Sequence, residues 1–280
     1  MNVFPRRLRA TLGWSSLLVA ALVLSNCTWG ASGSNATVAP EKEPTALSVK
    51  VVKTLAHDPS CFTQGFQWTS SVSGGGFYES CGEAGESTMR LTTLNGKVLK
   101  SVPVPDNAFA EGAVRLGNRL YQLTWRERVV FVRNPSSLAL IETRALPEEI
   151  AEGWGLTALG SELVVSDGTS TISFLDPVKW VVRRTITVRT AGTPVAALNE
   201  LELISGQIWA NVWRTEQIVA IDPANGQVKS VISVAGLRPK TTTDDPEAVA
   251  NGIAFDPKNK RIYLTGKNWP VIYQVTTKPA

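Results

Sequence analysis

Residues 109–146, FAEGAVRLGNRLYQLTWRERVVFVRNPSSLALIETRAL, contain four β-rich runs in succession. The first opens at Phe109-Ala110-Glu111-Gly112. Arg119-Leu120-Tyr121-Gln122-Leu123, residues 129–133 and residues 139–146 follow, and Gly, Asn and Pro punctuate the gaps. No period of 3.6 is sustained across the unit, so its elements read as short strands. Its opening motif recurs along the chain as Phe62-Thr63-Gln64-Gly65, Glu152-Gly153-Trp154-Gly155, Leu198-Asn199-Glu200-Leu201 and Val249-Ala250-Asn251-Gly252. Measured between Gly65, Gly112, Gly155, Leu201 and Gly252, the intervals are 47, 43, 46 and 51 residues. A repeat of this length is the signature of propeller blades. The longest interval holds the polar insert at residues 239–246, a loop by composition.

Each opening motif is followed by a second and a third strand, but only the first four units have a fourth. Those outer strands span residues 98–104, 139–146, 180–188 and 228–234, with turn chemistry at Asp176-Pro177 and Asp222-Pro223. The last unit runs out near the C-terminus, whereas Leu47-Ser48-Val49-Lys50-Val51-Val52 is a strand without a unit. The two gaps fill each other. The pattern predicts an all-β protein, a five-bladed β-propeller closed by the N-terminal strand, with an open two-sheet sandwich as the alternative.

The chain has 280 residues, 43% hydrophobic and 19% charged, which excludes disorder, collagen and coiled coil. Its net charge is +4, but Arg6, Arg7 and Arg9 lie in a basic leader followed by an apolar run, residues 17–24, too short to span a bilayer. Without them the charge is +1, with no footprint for nucleic acid or an anionic membrane. Three regions are expected: a signal peptide at 1–30, a flexible spacer at 31–45 rich in Ser, Ala, Thr and Pro, and a catalytic propeller at 46–280. Leu24-Ser25-Asn26-Cys27 resembles a lipoprotein box, although Asn26 is larger than the residue usual before a lipidated cysteine. Export by the general secretory route is expected ahead of twin-arginine export, with Cys27 lipidation as a variant of it. The product would be periplasmic or secreted.

Removal of the leader leaves Cys61 and Cys81, an even pair flanking a predicted hairpin, and a structural disulfide is expected. With a single histidine, His57, zinc chemistry is poorly supplied. There is no G-x-S-x-G elbow, P-loop or dinucleotide fingerprint. Just before the last residue of each opening motif stand Gln64, Glu111, Trp154, Glu200 and Asn251, a ring of polar groups and one indole near the expected axis. Such residues either bond neighbouring blades or face a ligand. Trp125, Trp154, Trp213 and Trp269, four of nine tryptophans, are expected to converge on the face carrying Glu111. Blade-to-blade packing is the plainer use of each.

Taken together these motifs resemble one family over nearly the whole mature chain: the plant-type glutaminyl-peptide cyclotransferases of plants and bacteria. The resemblance lies in Phe62-Thr63-Gln64-Gly65, Tyr78-Glu79-Ser80, Phe109-Ala110-Glu111-Gly112, Leu123-Thr124-Trp125, Gly153-Trp154-Gly155, Ser166-Asp167-Gly168, Leu198-Asn199-Glu200-Leu201-Glu202, Ala210-Asn211-Val212-Trp213, Asn251-Gly252-Ile253 and Thr265-Gly266-Lys267-Asn268-Trp269-Pro270. Cys81 stands where a small hydroxyl residue is common, and Ala110 where glycine is.

The resemblance implies a five-bladed propeller that converts the N-terminal glutamine of peptides to pyroglutamate and releases ammonia without metal or cofactor. By the same resemblance Glu111 is the general acid/base, and Phe62, Phe109, Trp125, Trp154 and Trp213 form an aromatic pocket around it. Gln64, Asn199 and Lys267 match positions that hold the γ-carbonyl, and Glu79 is a candidate for orienting the α-ammonium. A monomer is expected. Two rivals remain at this level: a Ca²⁺-dependent lactonase-type hydrolase using Gln64, Glu111, Asn199, Glu200 and Asn251 as oxygen donors, and an exported binding propeller without catalysis.

Overall fold

The computed structural model describes residues 42–105 and 107–280. The expected leader, Cys27 and residues 31–41 of the expected spacer lie outside the described residues. The described chain is all-β, with one short 3-10 turn at Lys240–Thr242. Among the described residues no helix is long and apolar enough to cross a membrane.

The strands in chain order are β1 (Thr45–Ala56), β2 (Thr63–Thr69), β3 (Gly76–Cys81), β4 (Thr88–Thr93), β5 (Val98–Pro103), β6 (Ala110–Leu116), β7 (Arg119–Thr124), β8 (Val129–Arg133) and β9 (Leu140–Ala145). They continue as β10 (Leu156–Leu159), β11 (Glu162–Ser166), β12 (Thr171–Asp176), β13 (Val181–Thr187), β14 (Arg189–Thr190), β15 (Thr193–Pro194), β16 (Leu198–Ile204) and β17 (Gln207–Val212). The last are β18 (Gln217–Ile221), β19 (Val228–Ser233), β20 (Ala250–Asp256), β21 (Arg261–Gly266) and β22 (Val271–Pro279).

Strands β2–β5, β6–β9 and β10–β13 form three antiparallel four-stranded sheets in sequence order. A fourth sheet has eight strands in the order β16-β17-β18-β19-β1-β22-β21-β20. In it β1 is antiparallel to β22, from Leu47↔Pro279 to Ala56↔Val271, and parallel to β19, from Thr45↔Ser230 to Ser48↔Ser233. The N-terminal strand therefore covers two edges at once. The small hairpin β14–β15 was not foreseen.

Turn chemistry follows the sequence. Asp176 Oδ1 accepts the backbone N–H groups of Val178 and Lys179 at 2.8 and 3.0 Å, and Asn134 and Asp256 do the same ahead of Pro135 and Pro257. The apolar side chains form separate clusters between neighbouring groups of strands. Tyr78 and Leu120 sit in one, Val114 and Leu163 in the next, Phe174 and Ile208 in a third, Trp209 and Leu264 in a fourth. Phe66, Phe77, Tyr263 and Ile272 close the series by joining the first group of strands to the last. Burying each such large side chain contributes about 1.5–3 kcal/mol. The first strands of successive groups also touch in a cycle: β2 packs on β6 and β20, β6 on β10, β10 on β16, and β16 on β20.

Candidate active site

Four of those first strands share an irregularity. Their pairing register shifts between Thr63 and Gly65, Ala110 and Ala113, Leu198 and Leu201, and Ala250 and Ile253. An extra residue in one strand bends it and re-aims side chains. Gln64, Glu111, Asn199 and Asn251 all occupy these bulges. Glycines let the strands meet there. A Cβ on Gly112 would stand 2.6 Å from the carbonyl oxygen of Trp154, which accepts the Gly112 N–H at 2.7 Å. A Cβ on Gly155 would stand 1.9 Å from the carbonyl oxygen of Asn199. The repeated pairing of a site residue with glycine thus brings Glu111, Trp154 and Asn199 around one point.

That point is a cavity of about 180 Å³ lined by Phe62, Gln64, Phe109, Glu111, Trp125, Trp154, Asn199, Trp213, Glu247 and Lys267. Its wall is built by edge-to-face contacts: Phe62 to Phe109 at 6.1 Å, Phe109 to Trp125 at 5.9 Å, and Trp154 to Trp213 at 5.5 Å. The Lys267 ammonium lies 4.6 Å from the Phe62 ring centre and 6.0 Å from that of Trp213, joining the two ends of the wall.

At the floor, Asn251 Nδ2 donates to Gln64 Oε1 at 3.0 Å, and Gln64 Nε2 donates to Glu111 Oε1 at 3.0 Å. Glu111 Oε2, Asn199 Oδ1 and the Trp213 indole Nε1 are buried without a partner. Buried polar atoms are nearly always paired, so three orphans on one small cavity mark where a ligand's polar atoms belong. Burial holds the Glu111 carboxyl well above the usual carboxylate range; Lys267 opposes this, and the negative charges of Glu127 and Glu152 add to it. Burial also pulls the Lys267 ammonium down, against the charge of Glu111. An acid and a cation with pKa values displaced toward each other in an aromatic cavity are suited to proton transfer.

Nine of the ten residues expected at the site line this cavity. Glu79 does not. Its Oε1 accepts from Thr92 Oγ1 at 3.1 Å, and its Oε2 lies 3.6 Å from His57 Nε2. The alternation of β3 turns it into the protein, away from the aromatic wall. Trp269, expected on the same face as Glu111, instead lies in the core and donates to the Ala248 carbonyl at 2.9 Å. Glu200 bonds the backbone N–H groups of Phe66 and Ile253 at 3.3 and 2.8 Å, and so ties neighbouring strands together. Glu247 was not foreseen. It follows the polar insert, lines the cavity mouth and is ion-paired with Arg214, whose guanidinium covers Trp213 at 4.4 Å.

Cys61 and Cys81 form a disulfide with Cα atoms 5.0 Å apart. Ligand atoms of His57, Cys61 and Glu79 lie within 4.8 Å of one another, but the Cys61 sulfur is bonded to Cys81 and offers no thiolate.

An aromatic cavity around one buried, proton-ready carboxyl defines a candidate acid–base site, and comparison with known proteins gives it a family. Residues 18–277 match the model of the glutamine cyclotransferase family, and the chain belongs to that family. It is 35% identical over 235 residues to a glutaminyl-peptide cyclotransferase of Arabidopsis thaliana, covering 83% of this chain and 72% of the relative. The crystal structure of the Myxococcus xanthus glutaminyl cyclase superposes with a TM-score of 0.77 at 33% identity, over 85% of this chain and all of that one.

Proposed function

We propose that this cavity is the active site of a glutaminyl-peptide cyclotransferase, which turns the N-terminal glutamine of peptides and proteins into pyroglutamate. The observation that carries the reading is the Glu111 carboxyl: buried among aromatic rings, held through one oxygen by Gln64, and free at the other. Family membership gives that geometry its substrate.

The chemistry needs one carboxyl group. The glutaminyl side chain enters the aromatic cavity with its α-amine beside Glu111. Glu111 Oε2 takes a proton from the amine, whose nitrogen attacks the γ-carbonyl carbon. The bond to the amide nitrogen breaks as that nitrogen receives the same proton, and ammonia leaves. Proton transfer by a positioned group contributes about 10²–10⁴-fold. Asn199 and Lys267 hold the γ-carbonyl oxygen as it gains negative charge. The aromatic walls hold the flexible side chain folded toward its own amine, which lowers the entropy lost on cyclising. A Ca²⁺ site on the same oxygens is disfavoured, because both Glu200 oxygens accept backbone N–H groups of neighbouring strands and Asn251 Oδ1 accepts the Glu200 N–H.

The scaffold is read as a five-bladed propeller at 46–280 whose last blade is β20–β22 with β1. The cycle of first-strand contacts and the separate core between each pair of groups support this. An exported monomer fits the disulfide, the basic and apolar leader and the scatter of exposed apolar side chains such as Val52, Leu140 and Val178.

Mass spectrometry of a Gln-initiated peptide incubated with the protein tests the function. Ammonia loss is expected, surviving chelator and vanishing in Glu111→Gln. A folded protein that leaves the peptide intact would return the chain to the binding proteins.

A further inference from the structure

The aromatic wall has one break. Among the described residues no ring contact joins Trp125 to Trp154, although both line the cavity. Glu152 bridges them. Its Oε2 accepts the indole N–H of Trp125 at 2.6 Å and that of Trp154 at 2.9 Å, while Oε1 accepts from Arg126 Nε at 3.3 Å. Arg126 in turn lies over the Trp125 ring at 3.9 Å. Trp213, the third indole of the wall, has no such partner and keeps its N–H free. A single carboxylate oxygen between two indoles, 27 residues from one and two from the other, fixes the angle between two rings that pack on different neighbours.

We propose that Glu152 is a positioning residue of this site, holding the Trp125 and Trp154 indoles at the angle that closes the wall around the substrate's glutaminyl side chain. The inference rests on the cyclotransferase reading for its substrate. Its geometry is independent of that reading. Glu152 does not line the cavity, so it acts through the two rings.

Its charge is a second handle. Burial disfavours the Glu152 carboxylate, but the three N–H donors from Trp154, Trp125 and Arg126 more than offset this and hold its pKa below the usual carboxylate range. The charged groups that bear on Glu111 are Lys267, Glu127 and Glu152. Loss of the Glu152 charge therefore lowers the pKa of Glu111.

The test compares wild type with Glu152→Gln and Glu152→Ala in three measurements: kcat and KM on a Gln-initiated peptide, the pH profile of kcat/KM, and near-UV circular dichroism of the indoles. A misplaced wall is expected to lower kcat/KM about 10- to 100-fold in Glu152→Ala, mainly through kcat. The acid limb of Glu152→Gln is expected to move to lower pH, and the indole spectrum to change in both variants. Full activity with an unchanged spectrum overturns the proposal. So does a loss of activity that follows a fall in melting temperature, with the acid limb and spectrum unmoved. If wild type leaves the peptide intact, the cyclotransferase reading fails, whereas a spectral change confined to the Glu152 variants still supports the clamp.

Discussion

Gln64 donates from Nε2 to Oε1 of Glu111 at 3.0 Å while its own Oε1 accepts from Asn251 Nδ2 at the same distance. The carboxyl proposed as the acid–base group is thus held by one oxygen and left free at the other. Gln64→Leu leaves Glu111 Oε1 and the Asn251 amide with a bond missing in a buried place, at a cost of about 1–3 kcal/mol. Where that cost of about 1–3 kcal/mol falls on the transition state, kcat drops about 5- to 150-fold. Thermal melts and steady-state kinetics check this; unchanged kcat with a lowered melting temperature would confine Gln64 to the fold.

As the proposed base, Glu111 accepts a proton only when ionised, so the acid limb of kcat/KM is expected above the ordinary glutamate value of about 4.3. Burial sets this direction, and Lys267 works against it. Lys267→Met removes the opposing charge, so the limb moves to still higher pH. A profile that does not move would show that Lys267 and Glu111 do not sense each other.

Away from the cavity lining, His57 donates from Nδ1 to the Trp269 carbonyl at 2.6 Å and faces Glu79 with Nε2 at 3.6 Å. Burial alone would lower its pKa, but the charge of Glu79, with smaller help from the hydrogen bond to Trp269 and from Asp58, raises it. A raised folded pKa means that the stabilisation is fully present below the unfolded value of about 6.5 and is lost as pH rises through the folded value. His57→Gln should abolish that part of the pH dependence. Parallel melting curves for the two proteins from acid to alkaline buffer would refute the pairing.

A chain beginning at Pro59 lacks β1 and exposes the edges of β19 and β22 that it covers. Compared with a chain beginning at Glu43, it is expected to melt roughly 10 °C or more lower, a loss of several kcal/mol at about 2–4 °C each. Equal melting temperatures would mean that β1 contributes nothing to closure.

The repeat was legible because one physical device recurs: a bulge, a polar residue and, in most cases, a glycine that admits the neighbouring strand. The strand that fills the last group was legible from a mismatch in counting. Other features leave no local trace. Arg189–Thr190 and Thr193–Pro194 are too short to show alternation. Glu247 stands beside a loop whose composition reveals only that it is polar. Glu79 stands in the family motif Tyr78-Glu79-Ser80 and Trp269 near the end of a second strand, and neither position tells which of two interiors the side chain enters. Glu152 was visible as part of a motif, but its partnership with Trp125 arises only when β7 and the segment before β10 are brought together.

The close approach at Gly112 and Gly155 has one more result. Backbones pressed together that tightly leave no room for even one methyl group, so alanine at either position must part the backbones that carry Glu111, Trp154 and Asn199.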